Sequence, residues 1–216
     1  MGRFEDKRFG YSQWVSYTLT KSFVELLETM KRAAATLRDA DVPHLLGGGL
    51  AAWARGGPPT EHDVDFYLRP ADAERALAAL ANAGMRPVRP PEGWLLKAYD
   101  GHVMIDLIHH PAGGEVSDEY FERAERLEVM ALPMLVASLD DVLTTKLLSL
   151  SEQEPDFGAV LELARALREQ IDWDVVRARS GDAPFALAFF VLVEELGIVE
   201  RPRPRVLRTV SNQAST

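Results

Sequence analysis

Apolar positions recur at helical spacing from Phe23 onward. Phe23, Leu26, Leu27, Met30, Ala34 and Leu37 share one face of a helix that runs through about Ala40. Ser22 with Glu25 three residues on reads as its capping box. Leu45-Leu46, opened by Pro43, predicts a short buried strand, and Gly47-Gly48-Gly49 follows it directly. Leu50-Ala51-Ala52-Trp53-Ala54 then reads as a helix start, and Gly56-Gly57-Pro58-Pro59 as a loop. From Asp63 to Leu68 the period changes to two. Asp63 and Asp65 point to one side of this strand, and Val64, Phe66 and Leu68 to the core.

Arg69-Pro70 ends that strand, and Asp72–Ala83 predicts an alanine- and leucine-rich helix closed by Gly84. Pro87 and Pro90-Pro91 read as an irregular link. Two further apolar runs, 95–99 and 102–108, flank Asp100-Gly101, a strong hairpin signal. With those two residues as the turn, Tyr99 faces His102, Lys97 faces Met104 and Leu95 faces Asp106. One hairpin face then carries Lys97, Tyr99, His102, Met104 and Asp106, while the other is wholly apolar and packs on helices. Residues 115–137 read as a polar helix or loop and one short strand near Leu127–Leu132. Beyond Ser138 the pattern is helical: Leu139–Leu150, Phe157–Glu169, Trp173–Arg179 and Pro184–Leu196, closed by Gly197. The order predicts an α+β fold: a mixed core over residues 1–137 with an N-terminal helix, a helical lobe over 138–200 and a flexible tail over 201–216.

Composition narrows the function classes. A chain of 216 residues with 47% hydrophobic positions buries a sizeable core. It contains no cysteine, which excludes disulfides, thiolate catalysis and zinc–thiolate sites. No apolar run is long enough to span a membrane and no signal core opens the chain, so the expectation is a cytoplasmic protein without a membrane partner. A net charge of −9 argues against an extended nucleic-acid surface.

The candidate chemistry lies at two acids on one strand face. Two neighbouring carboxylates repel, and a hard cation between them relieves the cost, which suits magnesium. Glycines after the first strand allow close ligand approach. Gly48-Gly49 followed by Asp63-x-Asp65 on a strand resembles the nucleotidyltransferase superfamily typified by DNA polymerase beta, most of all its small bacterial AbiEii-type members. Many of those carry an Arg and a Thr before the first Asp, where this chain has Pro59 and Glu61. The resemblance covers about residues 42–110. It implies a mixed sheet flanked by helices in which Asp106 lies on a strand beside Asp63 and Asp65. The three acids would hold two magnesium ions, or manganese, with Asp106 as proton acceptor. Gly48 and Gly49 would meet the β- and γ-phosphates of a nucleoside triphosphate such as ATP, and Lys97 and Lys146 would pair with phosphate oxygens, with Asp156 accompanying Lys146.

The activity implied is transfer of a nucleoside monophosphate to an acceptor hydroxyl. The acceptor would be a tRNA end or a protein side chain, as a toxin with an antitoxin protein as partner. A small aminoglycoside-like molecule is the enzymatic alternative, and a degenerate domain that binds nucleotide or a partner without turnover is the other. Blander readings accompany several residues. Asp156 serves as a helix cap, His62 sits in a loop, and Trp14, Trp53 and Trp94 pack. His109-His110 points to opposite faces of a strand and so does not chelate one ion, and Arg201, Arg203, Arg205 and Arg208 form a solvated tail.

Overall fold

The computed structural model describes residues 20–60 and 63–200. The first helix, α1 (Lys21–Asp39), begins two residues earlier than a Ser22 cap would place it. Thr20 is the cap, its Oγ1 accepting a hydrogen bond from the Phe23 amide at 3.2 Å. Strand β1 (Leu45–Leu46) leads through Gly47 into α2 (Gly48–Trp53), so the helix starts within the glycines rather than after them. Strand β2 (Asp63–Tyr67) and helix α3 (Pro70–Asn82) follow. Pro70 both ends the strand and opens the helix, where its missing N–H costs nothing.

The Pro87 segment expected as irregular is strand β3 (Arg86–Val88), paired antiparallel to β4 (Leu95–Asp100). It lies at a sheet edge, where proline is tolerated because one side needs no ladder bond. Strand β5 (Val103–Ile108) completes the hairpin, but in a register two residues away from the one expected. The turn is Gly101-His102, with Gly101 at φ 63°, and Asp100 pairs with Val103. Glycine at the first central position is the type II′ preference, whereas Asp100-Gly101 would have required positive φ at Asp100. A shift of two preserves each side chain's face. It changes partners, however: Lys97 stands opposite Asp106 and Leu95 opposite Ile108.

Helix α4 (Asp118–Arg123) precedes two strands where one was expected, β6 (Glu125–Val129) and β7 (Leu132–Val136). The turn between them is Met130-Ala131, at φ 52° and 61°, with neither Gly nor Asn to advertise it. Among the described residues the sheet has seven strands, in the order β3-β4-β5-β2-β1-β7-β6. Pairings of β2 with β5 and of β1 with β7 are parallel, and the rest are antiparallel. Helices α1 and α3 pack together over the apolar face of this mixed sheet.

Helices α5 (Leu139–Ser149), α6 (Phe157–Leu167), α7 (Trp173–Ser180) and α8 (Pro184–Glu195) form the C-terminal layer, close to the expected ranges. Ser138 caps α5, accepting from the Asp141 amide at 3.1 Å. Asp141 is buried, and its carboxylate accepts from Arg123 of α4, Arg179 of α7 and the Ser138 hydroxyl. A single apolar core continues from α1 and the sheet into α5–α8. Among the described residues no helix is long and apolar enough to cross a membrane. Residues 1–19 with Trp14, His62, and the tail with Arg201, Arg203, Arg205 and Arg208 lie outside the described residues.

Candidate active site

Three strands set the site. Asp65 on β2 stands opposite Asp106 on β5, and Asp106 stands opposite Lys97 on β4. Directly opposed residues share a sheet face, so the three side chains form a row across β2, β5 and β4. Asp63, two residues before Asp65, joins the same face. One carboxylate oxygen from each of Asp63, Asp65 and Asp106 lies within 4.8 Å of the others.

Charge and burial conflict there. The Asp65 carboxyl is pushed up from its ordinary 3.8 to about 7, first by burial and then by the Asp63 charge, with Asp106 adding and Lys146 and Lys97 opposing. Burial also raises the Asp106 carboxyl, and the Lys97 ammonium works against that shift. Lys97 Nζ donates to both Asp106 oxygens, at 2.8 and 3.0 Å. A partly buried acid cluster built wholly of hard oxygen donors fits a divalent cation such as magnesium.

The glycine turn is shaped around these acids. Gly48 has φ 52°, and a Cβ there would lie inside the Asp65 carboxylate. A Cβ on Gly49 would sit 2.7 Å from Thr60 Cβ. Both positions require the absence of a side chain, one for conformation and contact, the other for contact alone. The Gly47 N–H is spent on the Asp65 carbonyl at 2.8 Å, which continues the β1–β2 pairing into the turn.

Beside Asp65 opens a cleft of 440 Å³. Its walls include Gly48 and Asp65 on one side, Trp94, Ile108 and His110 on another, and Lys146 of α5. The Tyr67 hydroxyl and Thr145 Oγ1 are 3.1 Å apart, and this bond between β2 and α5 fixes the turn of helix on which Lys146 stands. Burial drives the Tyr67 phenol above its usual range, so it remains a neutral hydrogen-bonding group. Trp94 is 40% exposed at the cleft, unlike Trp53, which packs edge-on against Phe23. No pattern in the sequence distinguishes those two tryptophans; only the return of β5 beside Trp94 does. Asp156 caps α6, its Oδ1 accepting from the Ala159 amide, and takes no part in the cleft.

His109 and His110 depart from the expectation of opposite faces. The strand ends at Ile108, and both amides donate to the Trp94 carbonyl, at 3.2 and 3.0 Å. That bend brings the two Nδ1 atoms to 2.7 Å. The alternation rule does not apply because the backbone there is no longer extended.

No family model and no curated protein matches this sequence. Solved structures do match. The solution structure of the antibiotic-resistance factor ANT(2'')-Ia superposes with a TM-score of 0.58 over 81% of this chain and 98% of its own, at 14% identity. The crystal structure of ANT(2'')-Ia in complex with adenylyl-2''-tobramycin gives a TM-score of 0.50 at 15% identity, covering 79% of this chain and 98% of its own. The chain has the nucleotidyltransferase fold. Within the nucleotidyltransferase fold the acid row, the glycine turn and the cleft occur on one side of the sheet, away from α1 and α3.

Proposed function

We propose that the chain is a metal-dependent nucleotidyltransferase that moves a nucleoside monophosphate from a nucleoside triphosphate to a hydroxyl of a small cationic acceptor. The convergence of Asp63, Asp65 and Asp106 beside the Gly48 turn is the observation that carries this reading. Asp63, Asp65 and Asp106 would hold magnesium, which when bound neutralises and orients the triphosphate. Lys146, facing the cleft beside Asp65, pairs with phosphate oxygens. Asp106 takes the proton of the acceptor hydroxyl. The freed oxygen lone pair forms the new bond to the α-phosphorus. The bond from that phosphorus to the bridging oxygen breaks, and its electron pair leaves with pyrophosphate.

A small cationic acceptor accords with a net charge of −9 and with a cleft of 440 Å³. The ligand of the ANT(2'')-Ia complex, an adenylylated aminoglycoside, belongs to the same chemical class. The macromolecular alternative is a tRNA end or a protein side chain, in the manner of a toxin.

The test supplies each α-labelled nucleoside triphosphate and magnesium with an aminoglycoside panel, total bacterial RNA and total protein in parallel. Label on a small molecule with release of pyrophosphate, absent in Asp63→Ala/Asp65→Ala, is the expected result. Label on RNA or a protein band would replace the acceptor assigned here. Absence of transfer and of pyrophosphate in every arm would remove the enzymatic reading.

A further inference from the structure

The geometry points to Lys97 as a built-in cation that takes the place of one divalent ion, so that this site works with a single metal. The inference rests on the transferase reading above and departs from the two ions that the resemblance implies. Its basis is the way Lys97 is held. Nζ lies 2.8 and 3.0 Å from the two oxygens of Asp106, nearly equidistant, and so occupies the side of the carboxylate that a chelated ion would use.

This contact is imposed by the sheet. Lys97 and Asp106 are directly opposed in the β4–β5 ladder, and their side chains leave the same face. Nζ also lies 3.4 Å from the Met104 Sδ. The Asp106 side chain is 8% exposed and that of Lys97 21%, so solvent competes weakly for the pair. The ammonium therefore has nowhere distant to go, and an ion brought to Asp106 would sit beside it.

Charge balance agrees. Three carboxylates meet two lysines, Lys97 at Asp106 and Lys146 acting on Asp65, which leaves a single net negative charge. Without nucleotide, one divalent ion at Asp63 and Asp65 already reverses that sign, so a second ion, beside the Lys97 ammonium, would depend on the triphosphate alone for counter-charge. Lys97 thus supplies the positive charge next to the attacking hydroxyl and holds Asp106 turned toward it. The proton still moves from the acceptor hydroxyl to Asp106, pyrophosphate still leaves as the new bond to the α-phosphorus forms, and Asp63 and Asp65 would hold the one ion.

The experiment is electron paramagnetic resonance of the full chain loaded with manganese and a non-hydrolysable nucleoside triphosphate. Two ions in one site lie about 3.5–4 Å apart and give a spin-coupled spectrum, whereas one ion gives an isolated six-line signal. We expect the isolated signal for the wild type and for Lys97→Arg, and the coupled pair for Lys97→Met, which keeps the apolar stem and removes the charge. Circular dichroism and a cooperative melt establish that each variant is folded. A coupled pair in the wild type, or an isolated ion in Lys97→Met, overturns the inference and leaves the transferase reading intact. Failure of the wild type to bind manganese at all overturns the transferase reading itself.

Discussion

Asp65 is held against three structural demands at once. Its backbone carbonyl serves the β1–β2 pairing through Gly47, its side chain fills the space left by Gly48, and its charge lies beside Asp63 and Asp106. A carboxyl whose folded-state pKa is about 7 keeps its proton where the unfolded chain, at 3.8, has lost it. The folded state therefore binds more protons through that window, and metal-free stability from this group falls as pH rises from about 4 to 7. Asp65→Asn removes the penalty. At pH 8 in a chelator it should be more stable than the wild type by on the order of 2 kcal/mol, or about 4 to 8 °C of melting temperature in a chain of this size. Magnesium should raise the melting temperature of the wild type and not of the variant. Equal melts of the two proteins in chelator would contradict the assignment of charge strain to Asp65. The acids were legible in the sequence because a period of two is visible in six residues. Thr145 and Trp94 were not, since each reaches the cleft through an element distant in sequence.

At the scale of the element, legibility followed turn chemistry. The β4–β5 hairpin carries a glycine, so its existence and its faces were evident, and only the choice of central residues was open. Hairpin β6–β7 was half missed because Met130 and Ala131 occupy the left-handed region without a residue suited to it. Each such residue costs about 1 kcal/mol or more. Met130→Asn/Ala131→Gly should therefore stabilise the protein by about 1–2 kcal/mol. A shift of the urea midpoint upward with unchanged slope would show it; an unchanged or lower midpoint would mean that Met130, 41% exposed, contributes packing the turn cannot lose.

At the scale of the whole molecule, one buried carboxylate on α5 ties α4 to α7. Asp141 reads in the sequence as an ordinary first-turn acid. Its partners Arg123 and Arg179 lie on α4 and α7, and nothing local announces them. Removing Asp141 takes a buried counter-ion from two partly exposed arginines, of which Arg123 keeps Glu119. Asp141→Ala should cost about 1.5–3 kcal/mol, read by urea unfolding of the full chain. A loss below about 1 kcal/mol would place the cluster among ordinary surface pairs. The helix ranges of this layer were legible because apolar spacing, caps and Gly197 agree; the ion cluster that fastens it depends on tertiary proximity alone.

The parallel pairing of β2 with β5 also sets an order of assembly. Helix α3 and strands β3 and β4 separate the two strands in sequence, so the chain must close a long loop before Asp65 and Asp106 come into register. Local structure such as α1, α3 and the β4–β5 turn needs no such closure. The strands that carry the acids thus meet late, and they meet with like charges converging. Like charge therefore adds to loop closure at the step that creates the site, and ionic strength or a divalent cation in the medium acts on that step before any nucleotide is present.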